Sequence, residues 1–326
     1  MLILTNFDRF PSQWTSTTGQ SGRGEIAKTF GDFVRGARKA DLLMINCDVA
    51  LALRLSALFL VCPWLRKPVV AIDFVLRAPA TSEAKAAIRL KKFLLGRIDL
   101  FVHYFQDITG YERYYGISAK RSVFVPFKPN IRYRFDAKPD AAGRYILCVG
   151  RSMRDYDTFF SAMAGLPWPA AIPNPDFEQL RRHEARFTRQ LDQLPPNVEV
   201  LEDDGSEASM VQILESATLV VLPILKKSIC ASGVSTYLNA MLMGKCVVLT
   251  EGPGASDVLT DQALICAAED SDALAATIRK ACEDDGLRER TARSGYEYAA
   301  SLGGEPELRQ RVIDVSCRYF SQPHSR

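Results

Sequence analysis

Short apolar runs of strand length recur along this chain of 326 residues, and a helical stretch separates most of them from the next. The runs are MLILTNF, DLLMINC, PVVAIDF, IDLFVHY and SVFVPF in the first part, then YILCVG, NVEVLE, ATLVVLPI, GKCVVLT and ALICA. Helical stretches are expected near 24–38, 49–61, 82–95 and 106–115, and then near 155–164, 176–191, 207–216, 234–243, 271–283 and 286–301. Apolar strands that alternate with helices are typical of parallel sheets. The pattern therefore predicts an α/β protein with two parallel-sheet domains.

A segment rich in proline and charge divides the two series of strands. It reads VPFKPNIRYRFDAKPDAAGRY, residues 125–145, and we expect the linker there, centred near residue 138. The N-terminal domain is accordingly placed at 1–135 and the C-terminal domain at 136–304. A last helix is expected at about 305–320, so residues 305–326 are treated as a C-terminal helix, and packing on either domain, including a return to the first, is open.

Composition indicates an ordinary globular protein, with 47% hydrophobic and 24% charged residues. The chain has no uncharged apolar run of about 18 residues, and its start, MLILTNFDRF, lacks the basic region and long apolar stretch of a signal peptide. We therefore expect a cytoplasmic protein. The eight cysteines are scattered without a CxxC pair, and there are three histidines. This favours reduced thiols over disulfides or a zinc site.

Charge is distributed unevenly along the chain. Residues 1–135 hold 21 Lys and Arg against 10 Asp and Glu, a balance of +11, whereas the remainder holds 20 against 28, a balance of −8. A basic half suits an anionic partner such as a membrane surface, a phosphorylated acceptor or a nucleic acid, although plain solvation is an alternative. Nucleic acid is the weakest of these, because the basic half carries no recognised motif or stacking platform. We expect no nucleic-acid partner.

Residues that follow the strands of the second half have the chemistry of a phosphate site. In open parallel sheets, ligands bind beyond the carboxyl ends of the strands. After YILCV come Gly150, Arg151, Ser152 and Arg154, and after ATLVVLPI comes Lys226. The glycine allows a ligand to approach the backbone, and the cations offer donors to phosphate oxygens. The alternative is a turn with solvated arginines.

The stretch CASGVST precedes a helix that carries STYLNAMLM. Backbone N–H groups at the start of a helix attract anions, and the hydroxyl groups here add donors. The residues expected to contribute are Ser232, Gly233, Val234, Ser235 and Thr236. The alternative is that Ser232 or Ser235 simply caps the helix. The chain contains no GxGxxG or GxxxxGK[ST] motif, which argues against a Rossmann dinucleotide site and a P-loop.

Together, YILCVGRSMRDYDTFFSAM, ATLVVLPIL and CASGVSTYLNAMLMGKCVVLTEGPGASDVL resemble the donor-binding half of GT-B glycosyltransferases, the family of glycogen synthase and bacterial mannosyltransferases. The resemblance covers about residues 144–300. It implies two Rossmann-like domains that face a cleft, and transfer of a sugar from a nucleotide diphosphate of the UDP or GDP type. It also implies that no cofactor or metal ion is needed. The acidic run at 201–207 is accordingly interpreted as a loop and helix N-cap.

Two departures from the family pattern bear on activity. The usual pair of glutamates would fall on Ala231 and Asn239, and a branch with Ala-Gly-x-Ser in place of the first glutamate is more similar to SGVSTYLNAM. In this resemblance Asn239 takes the place of the glutamate that binds the ribose hydroxyls, and its side-chain oxygen can still accept a hydrogen bond. Arg154 replaces the family's lysine. The missing carboxylates leave open a catalytically silent sugar-nucleotide-binding or scaffold protein.

The first half matches the family less well. Relatives often carry a histidine after the third strand, near the sugar, and here VVAIDF places Asp73 there. Asp73 is a candidate general base for an inverting displacement. A helix cap or a salt bridge with Arg77 is an equal alternative. In a retaining enzyme the donor phosphate assists and no such base is needed.

A basic amphipathic stretch, AKAAIRLKKFLLGR, places Arg89, Lys91 and Lys92 among apolar residues. Such a helix suits an anionic membrane that carries a lipid-linked acceptor, and the alternative is a core helix whose lysines reach solvent. The expected acceptor is a lipid-linked glycan or polysaccharide in envelope or exopolysaccharide synthesis. The expected location is therefore cytoplasmic, with peripheral contact at the membrane face.

Overall fold

The computed structural model describes residues 1–79, 81–131 and 143–322, without the side chains of residues 83–85. The chain forms two compact units. The first comprises Met1–Pro126 together with Glu305–Arg326, and the second comprises Phe127–Gly304. Each unit contains its own sheet, and each is described below by itself.

The first unit is built on a seven-stranded sheet with the order β2-β3-β1-β4-β5-β6-β7. The strands are β1 (Leu2–Thr5), β2 (Gln13–Thr15), β3 (Ser21–Ile26), β4 (Leu42–Asn46), β5 (Val69–Ile72), β6 (Leu100–His103) and β7 (Ser122–Phe124). All neighbours are parallel except β2 and β3, which form an antiparallel pair at one edge. The helices are α1 (Phe30–Ala37), α2 (Val49–Val61), α3 (Ser82–Leu95), α4 (Thr109–Tyr115) and α11 (Glu305–Ser321).

The prediction of a helix near 24–38 is wrong for its first residues. Residues 24–26 belong to β3, and α1 begins after Thr29, whose hydroxyl accepts from the Asp32 N–H while the Asp32 carboxylate accepts from the Thr29 N–H. A Cβ on Gly22 would lie 2.0 Å from the Met1 carbonyl oxygen. The close pairing of β3 with β1 therefore decides its structure, and its sequence, SGRGEI, lacks the apolar alternation that would reveal a strand.

The second unit is built on a six-stranded, fully parallel sheet with the order β10-β9-β8-β11-β12-β13. The strands are β8 (Tyr145–Cys148), β9 (Ala170–Pro173), β10 (Val198–Leu201), β11 (Ala217–Leu222), β12 (Cys246–Thr250) and β13 (Leu264–Cys266). The helices are α5 (Tyr156–Met163), α6 (Phe177–Arg182), α7 (Glu207–Glu215), α8 (Val234–Leu242), α9 (Ser271–Glu283) and α10 (Asp285–Ser301). Apolar side chains pack on both faces of this sheet. The predicted α/β fold with two parallel-sheet units is confirmed.

Two elements of the second unit differ from expectation. Strand β9 was not predicted, because AAIP is short and its proline is uncommon inside strands. Helix α6 ends at Arg182, although helix was expected to 191. The chain after it pairs with the segment that follows β8: the Met153 N–H donates to the His183 carbonyl oxygen at 2.9 Å, and the Tyr156 N–H donates to the Arg186 carbonyl oxygen at 2.9 Å.

The boundary between the units precedes the predicted one. Phe127 already belongs to the second unit, whereas the first domain was expected to end at residue 135. Ile131 is buried in the core of the second unit, and its N–H donates to Asn239 Oδ1 at 3.3 Å. The predicted linker centre, near residue 138, lies outside the described residues.

Helix α11 packs with the first unit. The Thr17 N–H donates to Asp314 Oδ1 at 2.8 Å, and the Tyr319 hydroxyl donates to the Asp99 carbonyl oxygen at 2.9 Å. Of the helices in the described ranges, none has both the length and the apolar character needed to cross a bilayer. The eight cysteines are free thiols.

Candidate functional site

A cavity of about 600 Å³ opens at the carboxyl edge of the second sheet. Its walls come from the loops after β8, β9 and β10 and from the first turns of α8. Eight of the eleven predicted nucleotide-sugar residues line it: Gly150, Arg151, Ser152, Arg154, Gly233, Ser235, Thr236 and Asn239. This is the edge at which parallel sheets of this kind bind ligands.

Arg154 is the most unusual residue of this cavity. Its side chain is 0% exposed, and within the described residues neither Nε nor Nη1 has a hydrogen-bond partner. The neighbouring carboxylate of Asp155 pairs instead with Arg186, whose Nε donates to Asp155 Oδ1 at 2.8 Å. Burial lowers the pKa of Arg154, although an arginine stays protonated at physiological pH. Among the described residues, no counter-ion accompanies this positive charge in the cavity wall.

The backbone holds Arg154 firmly in place. The Arg186 N–H donates to the Arg154 carbonyl oxygen at 2.8 Å, and Asp155 donates its N–H to the Pro223 carbonyl oxygen at 2.9 Å. The segment that follows β8 is thus pinned on two sides.

Two glycines make room for this guanidinium. Gly150 has φ +107° and Gly233 has φ +83°, a backbone region that favours glycine. A Cβ on Gly150 would lie 2.3 Å from Arg154 Nη2, and a Cβ on Gly233 would lie 2.8 Å from the same atom. Arg154 therefore lies beside both glycines, next to the first residue of α8.

The N-terminus of α8 keeps its backbone donors available. Its N-cap is Gly233, and no side chain of the described residues caps the helix. The alternative in which Ser232 is the cap is therefore wrong: Ser232 is buried, does not line the cavity, and shares a hydrogen bond of 3.3 Å with Ser228. Unpaired N–H groups at a helix start carry partial positive charge. Together with Arg154 they form a site for an anion.

Two further predicted residues do not reach the cavity. Lys226 is exposed, and its backbone N–H donates to Glu269 Oε1 at 3.3 Å. Val234 is the first residue of α8, and its side chain packs against the apolar core. Sequence position at a strand end was a poor guide for Lys226, because the loop after β11 carries its side chain away from the cavity.

Asn239 lines the cavity, but its side-chain oxygen is already bonded. Asn239 Oδ1 accepts from the Asn130 N–H at 2.7 Å and from the Ile131 N–H at 3.3 Å. The sequence analysis expected this oxygen to accept from a ribose hydroxyl. In the structure Asn239 instead fastens the segment before residue 132 to α8.

Other cavity residues were not predicted. Gln179 accepts from the exposed guanidinium of Arg151 through its Oε1, and His183 Nδ1 forms a hydrogen bond of 3.1 Å with the Ser152 hydroxyl. Both follow β9, which the sequence analysis missed. Their polarity after a short apolar run was the only signal that could have indicated them.

Three carboxylates also line the cavity, after β9 and β10: Asp176, Asp203 and Asp204. Asp176 caps α6 by accepting from the Gln179 N–H, and this backbone hydrogen bond holds the pKa of Asp176 below its usual value. The Ser206 hydrogen bonds likewise lower the pKa of Asp204. Ser206 caps α7, as the interpretation of 201–207 as a loop and N-cap required. Within the described part of the chain, no three His, Cys, Asp or Glu side chains are grouped as a metal site.

Asp73 lies in the first unit, directly after β5, beside Cys47 at the end of β4. Both have positive φ, +51° and +56°, which is unusual for residues other than glycine. The Cys47 thiol donates to Asp73 Oδ2 at 3.6 Å. Burial raises the pKa of Asp73 to about 6, and the Cys47 hydrogen bond opposes that shift. Among the described residues no ion pair joins Asp73 to Arg77.

Arg89, Lys91 and Lys92 are all exposed on α3. Phe93, beside them, is 57% exposed, whereas Leu95 is fully buried. Apolar exposure continues at the end of α2, where Trp64 is 74% exposed. Helix α3 is therefore neither a core helix nor a purely polar surface helix.

Comparison with known proteins shows what the second unit is similar to. Residues 144–284 match the family described as glycosyl transferases group 1. A search of curated proteins found no match to the chain.

Solved structures share the fold of the chain. The Anabaena protein HepE, in complex with UDP, is 16% identical with a TM-score of 0.65, and the match covers 91% of this chain and 86% of HepE. Sucrose-phosphate synthase from Thermosynechococcus elongatus is 15% identical with a TM-score of 0.62, over 98% and 88% of the two chains. The lipopolysaccharide outer core galactosyltransferase WaaB is 12% identical with a TM-score of 0.60, over 91% and 84%. Residues 144–284 are thus similar to the group 1 glycosyltransferases, and the chain has the GT-B fold that its sequence resemblance predicted.

Proposed function

We propose that the protein transfers a sugar from a nucleoside diphosphate sugar, of the UDP or GDP type, to a hydroxyl group of an acceptor. The observation that carries the proposal is Arg154, a buried cation in the cavity wall, two of whose nitrogens have no partner in the part of the chain that the structure describes. A buried charge without a partner destabilises a folded protein, and an anionic ligand supplies both the charge and the acceptors. The complexes of HepE with UDP and with UDP-glucose support a ligand of this class.

The chemistry of the anion site suits the departure of a diphosphate. As the bond between the sugar and the diphosphate breaks, negative charge grows on the leaving phosphate. The fold already places Arg154, the N–H groups of α8 and the hydroxyl residues Ser235 and Thr236 in the cavity wall, where they stabilise that charge. Because these groups supply the positive charge, we expect no metal ion or other cofactor to be needed.

Asp73 is the proposed general base if the reaction inverts configuration. Its pKa of about 6 leaves the carboxylate ionised at neutral pH, and such a base is stronger than an ordinary aspartate. It would accept the proton of the acceptor hydroxyl during the displacement. If the reaction retains configuration, the donor phosphate takes this role and Asp73 is not needed.

The test is turnover of labelled sugar nucleotides. The full chain is incubated with UDP- and GDP-sugars, with and without EDTA, and release of labelled sugar or nucleoside diphosphate is measured. We expect turnover that EDTA does not reduce. If neither UDP nor GDP nor any of their sugars binds, the proposal is wrong.

A second candidate function is a catalytically silent protein that binds sugar nucleotides. It is favoured by Ala231 and Asn239, which stand where the family carries glutamates, and by the backbone bonds that already occupy Asn239 Oδ1. Nucleotide binding without hydrolysis or transfer, over a panel of acceptors, would support this candidate.

The proposed acceptor is a lipid-linked or polysaccharide hydroxyl in envelope or exopolysaccharide synthesis, reached by peripheral contact with the cytoplasmic face of a membrane. The support is the face of α3, where exposed Lys91 and Lys92 flank exposed Phe93. Cations attract anionic lipid headgroups, and aromatic side chains enter the interface.

Sedimentation with vesicles tests this face. The double variant Lys91→Glu, Lys92→Glu should not cosediment with anionic vesicles at low salt, whereas the parent should. Replacing Lys280, an exposed cation on α9 of the second unit, by glutamate is the control and should leave cosedimentation intact. Equal binding of the parent and the double variant would contradict this docking face.

A further inference from the structure

The cavity of the second unit has two chemically different ends. One end holds Arg154 and the uncapped start of α8, and the other holds Asp176, Asp203 and Asp204. The sheet order places β11 and β8 next to each other and β9 and β10 beyond them. Neighbouring strands are roughly 4.8 Å apart, so the three steps from β11 to β10 span about 14 Å. The cavity can therefore hold an extended nucleoside diphosphate.

The charges orient such a ligand. A diphosphate is attracted to the buried guanidinium of Arg154 and repelled by the carboxylates after β9 and β10. Its base consequently lies at the acidic end. This orientation does not rest on the acidic cluster alone, since Arg154 is fully buried, faces the same cavity and has two nitrogens without a partner among the described residues.

Asp203 is the best oriented of the three carboxylates. Its Oδ1 accepts from the Gly205 N–H at 2.9 Å and from the Ser209 hydroxyl at 2.9 Å. No residue in the described ranges donates to its Oδ2. Asp203 is half-buried, whereas Asp204 is exposed, so a hydrogen bond to Asp203 is less weakened by water. On the next helix, Met210 and Leu214 line the cavity and offer an apolar wall to a flat base.

An ionised carboxylate only accepts hydrogen bonds, so it discriminates among bases by their donors. Guanine presents the ring N1–H and the exocyclic amino group side by side, and these match a carboxylate. Uracil presents one N–H between two carbonyl oxygens, which a carboxylate repels. Adenine and cytosine present an amino group beside a ring nitrogen that itself accepts.

We propose that the cavity selects a guanine nucleotide and that Asp203 is the residue that reads the base. The inference rests on the proposed function, because it assumes that the nucleoside diphosphate of the donor occupies this cavity. It adds the class of donor, a GDP-sugar, and a specificity-determining residue that the sequence analysis did not single out.

Binding of nucleoside diphosphates to the full chain tests the proposal. Calorimetric titration with GDP, IDP, UDP and ADP is expected to give GDP the highest affinity. A pair of matched hydrogen bonds discriminates between bases by about 1–3 kcal/mol, so GDP should bind roughly 5- to 150-fold more tightly than UDP. IDP lacks the exocyclic amino group and should fall between them.

The variant Asp203→Asn tests the assignment to this residue. Asparagine keeps one acceptor for Gly205 and Ser209 but replaces the second oxygen by a donor, so the affinity for GDP should fall to about that for UDP. The affinities for UDP and ADP should stay within a few-fold of the parent values. Glu202→Gln is the matched control: Glu202 is exposed, next in the chain, and does not line the cavity.

Each outcome decides a different point. Equal or tighter binding of UDP than of GDP overturns the guanine proposal and leaves the proposed function intact. If Asp203→Asn weakens the binding of UDP, ADP and GDP to the same extent, Asp203 has a structural role and its assignment as the base-reading residue is overturned. If no nucleoside diphosphate binds the parent protein, the proposed function itself fails.

Discussion

Replacing Arg154 by methionine should stabilise the unliganded protein and abolish its response to nucleotide. The side chain is fully buried, and two of its nitrogens lack a partner among the described residues. Methionine is unbranched, similar in length and apolar, so it can follow the same path between Gly150 and Gly233. The variant removes the buried charge and keeps most of the packing.

The size of the effect follows from the burial of Arg154. An unpaired buried polar group costs about 1–3 kcal/mol, and replacing buried charges by apolar groups is often stabilising by 1–4 kcal/mol. We expect a net gain of about 1–3 kcal/mol in the unfolding free energy of the second unit, because some packing is lost with the smaller side chain. For a unit of this size, 1 kcal/mol shifts Tm by about 2–4 °C, so the transition should rise by roughly 2–12 °C.

Nucleotide should stabilise the parent protein and leave the Arg154→Met variant unaffected. At a concentration of about 100 Kd, a ligand that binds only the folded state stabilises the parent by about 2.7 kcal/mol, or roughly 5–11 °C. The Arg154→Met variant should show no such shift. Differential scanning fluorimetry with and without GDP or UDP measures both quantities in one experiment.

Arg186→Met is the matched control. It removes the partner of Asp155, whose side chain is 1% exposed, and leaves that carboxylate buried without a counter-ion. The variant should lose about 1–3 kcal/mol, discounted because Arg186 is itself 38% exposed, and should keep its nucleotide shift. An Arg154→Met variant that is destabilised yet still responds fully to nucleotide would refute the reasoning, since Arg154 would then be a structural residue.

Three further outcomes are expected. If the reaction inverts configuration, Asp73→Asn should lower the transfer rate without changing the affinity for the donor. The rate of the parent should fall as the pH drops below about 6, where Asp73 becomes protonated. A variant with the same pH–rate profile as the parent would exclude Asp73 as the base. Gly233→Val should abolish the rise in Tm with nucleotide and lower the free energy of unfolding by about 1–3 kcal/mol. The reason is that φ is +83° and the new Cβ would lie 2.8 Å from Arg154 Nη2. Fluorimetry with nucleotide measures the first effect, and urea unfolding measures the second. Asn239→Ala should lower the free energy of unfolding by about 1–3 kcal/mol, because the Asn130 N–H loses its acceptor. A loss of nucleotide affinity with no loss of stability would instead indicate that Asn239 contacts the ribose.

Much of the fold was predictable because it rests on local patterns. Apolar runs separated by helices predicted nearly every parallel strand, and the residues after β8 and before α8 were identified from glycines, hydroxyls and cations at strand ends. The failures have one cause. Strands β2 and β3 carry little apolar signal and β9 is a four-residue apolar run that ends in proline, so all three are strands because neighbouring backbone pairs with them.

The candidate site shows the same division. The sequence by itself determined which chemistry is present: glycines where the backbone must turn, arginines after a strand, and a helix start rich in hydroxyls. Only the tertiary structure decided that Arg154 is buried with no counter-ion among the described residues, that Lys226 lies outside the cavity, and that Asp203 lines it. Burial, and the pairing of one charge with another, depend on segments distant in the chain, and the order of residues does not record which of them meet.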